Sequence, residues 1–464
     1  MKNALFPFLV TLLSMLTPCV SDAEVWLRDS LPETWEYTES VHQTLPAEDS
    51  WWTRFDDPVL DSLINMAEAG NFNLSAASRR VQSARQSVRE ARAAWYPDLG
   101  LSAGWTRSRN SGAMSSPSAD AYTSGGFDLG VSMNWEIDIF GRTRSSVKAA
   151  SASADATKAE YTAAMVSLCA QVAKTYVELR MYQEQFAVAE AHRESQQKVV
   201  TIAKARHEAG IGDMLDVSQA LTVLYSTRAS VPALEAMIES STNALATLTA
   251  TTPSKIRSIL ADTPARMPRD PGYIAAGVPA DLLRRRPDIV EAEAQAARAA
   301  ALCGVAKKDF LPTLSLSAGA STSARDAGDL FSGRSFGWSV SPSLSWTIFD
   351  GLARNARSAE ARLNLEAAVD NYNETVLGAV EEVNNALANY NAGLRAIELR
   401  KDVIKESRHS FDLALDLYKQ GLTPFSNVSD AMISLLTSQN SLISSEGKLL
   451  NSYISLYQAL GGGF

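Results

Sequence analysis

The 464-residue chain has little histidine and cysteine, four of the one and three of the other. Its four histidines, His42, His192, His207 and His409, are scattered along the sequence. No metal-ligand spacing, nucleophile elbow or phosphate-cradling glycine loop accompanies them. The expectation is a protein that is not an enzyme, with no catalytic residue, no metal and no cofactor. Positive charge is outnumbered, 43 Lys and Arg against 52 Asp and Glu. A formal net charge of -9, with no long run of like charges, disfavours nucleic acid as a partner, because phosphate binding needs a basic surface. Long apolar runs are missing as well: beyond the first residues, nothing approaches the ~18 uninterrupted apolar positions of a membrane-spanning helix. Of the three cysteines, Cys169 and Cys303 fall in helical patterns and are expected to be small buried hydrophobes rather than a disulfide pair.

What the chain does have begins with MKNALFPFLVTLLSMLTPC, one lysine ahead of an apolar stretch too short to span a bilayer, which suits an export signal. Leu16, Thr17, Pro18 and Cys19 resemble a lipoprotein processing site except at Pro18. Cys19 is the expected lipidation site, which ends the signal at residue 18; Ser21 and Ala23 offer ordinary cleavage, which ends it at residue 23. The remaining composition, 46% hydrophobic and 20% charged, is globular.

The sequence says several things twice. AWYPDLGLSAG at 94–104 returns as DFLPTLSLSAG at 309–319, 215 positions later. FDLGVSMNWEIDI at 127–139 is answered by FGWSVSPSLSWTI at 336–348. In the first, Phe127, Leu129, Val131, Met133, Trp135, Ile137 and Ile139 alternate with polar or small residues; in the second, Phe336, Trp338, Val340, Leu344, Trp346 and Ile348 do the same. A period of two is the signature of a strand. KARHEAGIGDMLDVSQA and LDLYKQGLTPFSNVSDA match around Gly210 and Gly421, 211 positions apart. The chain is expected to be two copies of one unit: helix, β-hairpin, long helix, turn, helix.

Four alternating strands in an exported protein fit either a soluble sandwich or a membrane barrel. The sandwich must cover its apolar face with another layer, whereas lipid covers a barrel. Thirteen residues at ~3.3 Å each reach about 43 Å, enough to cross an outer membrane at the usual tilt. Trp105, Phe127, Trp135, Phe336 and Trp346 would suit interfacial girdles. Four strands cannot close a barrel, so subunits must share one. Two chains would give eight strands and three would give twelve; the pattern leaves both open.

From Arg142 to about Glu208 there is no proline. Tyr161, Met165, Leu168, Val172, Leu179, Tyr182, Phe186 and Ala189 recur at steps of three and four, as do Val369, Tyr372, Val376, Ala379, Val383, Ala386 and Tyr390 in the second copy. These are coiled-coil stripes. Helices of this length reach ~100 Å at 1.5 Å per residue. Interleaved alanine and serine allow close approach and would suit a water-filled interior. Each long helix ends at a glycine, Gly210 or Gly421, suited to a left-handed turn, and a second helix follows.

Together these features resemble the TolC/OprM family of outer-membrane efflux channels, in particular the NodT-type factors of resistance-nodulation-division pumps. The strongest carriers are WWTRFDDPVLDSLI at 51–64, NWEIDIFGRTRS at 134–145, and GVPADLLRRRPDIVEAEAQ at 277–295 running on to GVAKKDFLPTLSLSAG. The resemblance implies a membrane α+β fold: four strands per chain in a shared trimeric twelve-stranded outer-membrane β-barrel, continuing into a long periplasmic α-helical coiled-coil barrel. On it the chain divides into an N-terminal extended segment (19–58), a first repeat (59–256; hairpin about 98–139, tip 208–216), an equatorial linker (257–281) and a second repeat (282–464; hairpin about 313–349, tip 419–428).

The partners implied are two further copies in a homotrimer, a periplasmic membrane-fusion adaptor, an inner-membrane pump and outer-membrane lipid. The implied function is an exit duct that passively conducts drugs or other small molecules. A polypeptide-secretion channel of the same fold and a purely structural coiled coil are the alternatives; the RRRPDI and WW patterns favour small-molecule efflux. By the resemblance, Asp430 and Ser426 lie at the periplasmic aperture, with Asp216 and Asp213 supplying charge in the first copy, where Gln219 replaces the equivalent of Asp430. The adaptor-docking tips are Gly210, Ile211, Gly212, Gly421, Leu422 and Thr423. Ser426 stands where relatives often place an apolar constriction, and Pro424 is unusual but tolerated in a first helical turn. Arg284, Arg285 and Arg286 are expected to be structural, with Pro287 and Asp288 starting a helix.

Overall fold

The computed structural model describes residues 50–111, 120–261, 263–272 and 285–462. The export signal, Cys19, His42 and Arg284 lie outside them. The chain forms two compact units, each discontinuous in sequence: Arg80–Thr157 with Ala292–Tyr372, and the described part of Leu27–Arg79 with Lys158–Glu291 and Asn373–Phe464.

The first unit holds a four-stranded antiparallel sheet in sequence order: β1 (Asp98–Asn110), β2 (Tyr122–Ile137), β3 (Thr313–Ala324) and β4 (Phe336–Ser345). The two hairpins join through β2 and β3, where Trp135 lies opposite Leu316 and Met133 opposite Ala318. Among the described residues no strand lies beside the outer edges of β1 and β4. Register brings the apolar sets onto one face. Leu101, Val131, Ala320 and Trp338 form one cross-strand row, and Leu99, Met133, Ala318 and Val340 the next. The opposite face is serine, glycine and threonine with a few acids. There Ser315 and Ser343 hydroxyls meet at 2.8 Å, and the Ser317 hydroxyl donates to Asn134 at 3.0 Å. The strands differ from expectation at their ends. Ile139, Trp346 and Ile348 fall outside the sheet, and β2 begins five residues before Phe127.

The repeated motif marks the joints. Helix α1 is Pro58–Gly70 and α2 is Phe72–Ala93, which stops ahead of Pro97; α6, Pro287–Lys308, stops ahead of Pro312. At each joint a tryptophan returns to the motif, Trp135 from within β2 and Trp346 from just past the end of β4. The Trp135 indole N–H donates to the Trp95 carbonyl at 3.1 Å, and the Trp346 indole N–H to the Phe310 carbonyl at 3.0 Å. Both carbonyls lie near a helix end, where the chain's own hydrogen bonds run out. Asp309 then reaches both long helices: its carboxylate accepts from Arg142 Nε at 2.7 Å, and its carbonyl from Arg354 at 3.2 Å.

Those helices are α3 (Arg142–Glu208) and α7 (Ala353–Lys419), 67 residues each; the returning helices α4 (Met214–Leu248) and α8 (Phe425–Ala459) have 35 each. A short α5, Pro253–Ala261, follows α4. The buried positions of α7, Val376, Ala379, Val383, Ala386 and Tyr390, keep the three-and-four spacing of a packed stripe. Among the described residues no helix is long and apolar enough to cross a membrane.

The second unit has an aromatic core. Trp51 stacks on Tyr457 at 5.8 Å, and Phe55 meets Tyr453 edge-on at 5.3 Å. Leu60, Leu63 and Ile64 of α1 are fully buried. Asp57 caps α1 by accepting from Val59 N at 3.0 Å, and it also accepts from the Tyr176 hydroxyl at 2.7 Å. That hydroxyl accepts in turn from Arg180, which is 1% exposed. A buried cation is thus joined to a carboxylate through one phenol, which compensates its desolvation. Arg286 is structural in the same manner: it pairs with Asp288 at 2.6 Å and Glu382 at 2.8 Å and donates to the Ala459 carbonyl at 2.8 Å. Cys169 and Cys303 are both fully buried, and Cys169 is free, so the two do not bridge each other. Burial, reinforced by Glu68, pushes the Cys169 thiol pKa up and keeps it protonated.

Candidate functional site

The helix ends at Gly210 and Gly421 lie in the second unit and are built alike. Gly210 has φ 71° and Gly421 φ 78°, the left-handed region where a side chain is strained. In each turn the amide three residues past the helix end reaches back five positions. Ile211 N–H donates to the Arg206 carbonyl at 3.0 Å, and Leu422 N–H to the Leu417 carbonyl at 2.9 Å. Inside these, Gly210 N–H donates to the His207 carbonyl at 3.0 Å and Gly421 N–H to the Tyr418 carbonyl at 2.9 Å, the double closure of a Schellman turn.

The restarts differ. Asp213 caps α4 by accepting from Leu215 N at 3.2 Å. Pro424 precedes α8 without a side-chain cap, and Asn427 instead donates to the Thr423 hydroxyl at 2.6 Å. Proline has no N–H to leave unpaired at that point.

Beneath the turns, all four helices share one apolar cluster. Val199, Val200 and Ala203 of α3, Val217, Ala220 and Leu224 of α4, Tyr418 of α7, and Phe425, Val428 and Met432 of α8 are all buried. Tyr418 and Phe425 meet edge-on at 5.3 Å.

A polar latch ties the first pair of helices to the second. The Arg206 guanidinium lies 4.9 Å from the Tyr418 ring centre, and its Nη1 donates to the Lys419 carbonyl at 2.8 Å. The Tyr418 hydroxyl donates to Asp216 Oδ2 at 3.0 Å. Burial, then Asp216, push the Tyr418 phenol up to about 12, so it remains a donor at neutral pH.

The structure therefore gathers most of the expected site residues and gives them distinct positions. Asp216 is engaged in the latch, and Asp213 in the cap. Ile211 and Leu422 project into solvent, 64% and 69% exposed. Gly210 and Gly421 are exposed turn residues; Gly212 and Thr423 are half-buried. Ser426 is half-buried, and Asp430 is exposed at a groove of about 480 Å³ that also includes Ser410, Leu417, Thr423, Asn427 and Ser434.

Arg206, Tyr418 and Phe425 were not singled out from the sequence. Arg206 and Tyr418 stand four and three residues before the two glycines, a placement that signals nothing until the fold pairs them across 212 positions. The described histidines are separate: His192 lies 2.6 Å from Gln439, His207 lies 3.2 Å from the Gly212 carbonyl, and His409 is exposed. Among the described residues no three His, Cys, Asp or Glu side chains are placed to hold a metal.

A four-stranded sheet with an exposed apolar face, two 67-residue helices and two like-built turns are the features to be matched, and comparison with known proteins identifies the family. The family model described as outer membrane efflux protein matches residues 63–251 and 278–462. The solvent efflux pump outer membrane protein SrpC of Pseudomonas putida is 32% identical over 410 residues, covering 88% of this chain and 86% of that protein. Nodulation protein T of Rhizobium leguminosarum bv. trifolii is 29% identical over 418 residues, 89% of this chain and 88% of that one. The outer-membrane channel OprN superposes with a TM-score of 0.87 at 30% identity, over 94% of this chain and 97% of its own. The chain belongs to the outer membrane efflux protein family, a family of transport channels rather than of enzymes.

Proposed function

We propose that three copies of this chain close a twelve-stranded barrel in the outer membrane, and that their helices continue it as a periplasmic tunnel ending at the latched turns. The observation that carries this reading is the sheet. One face is apolar across all four strands and exposed, the other is hydroxyl-rich, and among the described residues neither outer edge has a partner strand. Backbone edges cannot stay unpaired in lipid, so copies of the same sheet must complete it. The element series β1, β2, α3, α4 recurs as β3, β4, α7, α8 and supports two structural repeats, with boundaries near residues 59–256 and 282–464.

The duct conducts small molecules, including organic solvents of the kind named for SrpC. It is loaded by an inner-membrane pump through a periplasmic adaptor. Ile211 and Leu422, with Gly210, Gly212, Gly421 and Thr423, form the docking tips. Asp430 and Ser426 line the aperture, where three Asp430 carboxylates around one axis make a cation-attracting ring. Asp216 holds the aperture closed through Tyr418, Asp213 fixes the neighbouring helix start, and lipidated Cys19 anchors the chain to the membrane.

Purified protein in planar bilayers should give discrete conductance steps, with a larger step and weaker cation preference in Asp430→Ala. Steps of unchanged size and selectivity in that variant would remove Asp430 from the aperture.

A further inference from the structure

Past its apolar band, the lipid-facing side of β1 turns basic. The odd-numbered residues of β1 share the face of Leu99, Leu101 and Trp105, and the next two on that face are Arg107 and Arg109. The register sets Trp105 opposite Phe127, Arg107 opposite Gly125 and Arg109 opposite Thr123. Glycine offers no side chain there and threonine no charge. Both arginines are exposed and form no ion pair among the described residues. β4, which would lie beside β1 in the closed barrel, reads FGWSVSPSLS and has no acid to offer either.

The height of these arginines is set by the strand. Phe127 to Ile137 is ten steps, ~33 Å along the strand at ~3.3 Å each and about 25 Å along the membrane normal at a tilt of ~40°, the height of an apolar band. Arg107 and Arg109 lie two and four residues beyond Trp105, about 5 and 10 Å higher at the same tilt. The helices join the sheet at its other end, beside Asp98 and Ile137. On the barrel reading above, on which this inference rests, the two guanidinium groups stand outside the barrel at the level of the outer-leaflet headgroups. A guanidinium is unfavourable in the hydrocarbon and well placed at headgroup depth, where its planar fork matches phosphate oxygens.

We propose that Arg107 and Arg109 form a binding surface for the phosphate monoesters of the outer leaflet's glycolipid, one surface per chain.

Full-length protein reconstituted in phosphatidylethanolamine vesicles doped with bis-phosphorylated lipid A tests it, by counting lipid A retained per chain after gentle extraction. Wild type should retain lipid A, and Arg107→Gln/Arg109→Gln should lose roughly fivefold per arginine. Lipid A stripped of its phosphates should be lost to the same degree from wild type. Equal retention by both proteins, or of both lipids, overturns the proposal. A parallel series with brominated acyl chains reports insertion through quenching of Trp105 and Trp338. Quenching together with equal retention refutes this inference alone, whereas absent quenching in wild type refutes the barrel as well.

Discussion

The sheet and the hairpin ends use hydrophobic residues in opposite ways. In the sheet, Leu101 is 75% exposed and Trp338 73%, on a face that none of the described residues covers. At the hairpin ends, Phe425 is 1% exposed and Val428 0%, enclosed by all four helices. A contiguous apolar face left outside is stable only if its solvent is apolar, while an apolar cluster buried at the helix ends, with only scattered apolar side chains such as Ile211 and Leu422 outside it, fits water around it. One chain is thus written for two solvents.

Charge on the sheet's apolar face should do the most damage. Val131→Arg places a cation in the middle row of a central strand, at about 2–4 kcal/mol per chain, and three copies multiply the cost. The variant should be missing from the outer-membrane fraction, while Ser132→Asp, one residue along and facing the other way, should assemble. Equal behaviour of the two would dissolve the contrast between faces.

Next in size, Phe425→Ala should loosen the helix ends by about 3–5 kcal/mol. Hydrogen exchange should rise around Val199–Ala203 and Val428–Met432 and stay unchanged in the strands.

Tyr418→Phe keeps the ring over Arg206 and removes only the bond to Asp216, a loss of about 1.5 kcal/mol. It should enlarge single-channel steps without altering membrane assembly. The pH dependence follows from the same bond. The folded-state pKa of Tyr418 is raised from its ordinary value of 10 to about 12. Its contribution is therefore fully present below pH 10 and fades as pH rises through about 12. Wild-type steps should stay constant up to pH 10, apart from effects that Tyr418→Phe also shows.

The smallest effect is expected at Gly421→Ala. There the added methyl would only touch Arg206 Nη2 at 3.5 Å, so the left-handed φ of 78° sets the cost, about 1 kcal/mol. Thermal unfolding read at the helix ends should report it.

Much of this contrast was legible in the sequence because period two and the three-and-four spacing are local signals. Alternation located four strands, and the two glycines located the turns. Strand ends were less legible: alternation runs on through Trp346 and Ile348, but the Trp346 indole is committed to the Phe310 carbonyl beyond the end of β4. The repeated motif was visible as repetition, whereas its role in receiving an indole at each joint depends on a bond across 36 or 40 positions. The latch was least legible, since Arg206, Asp216 and Tyr418 come from both halves and only the packed cluster brings them together.

Cross-linking across the sheet's open edges tests the central claim most directly. Val340 on β4 is replaced by cysteine, in combination with cysteine at Leu99, Leu101 or Ala103 on β1, all on the apolar face. If three sheets close one barrel, one of these combinations should oxidise in membranes to a covalent species of three times the chain's mass. Monomer-mass product from every combination would contradict the account.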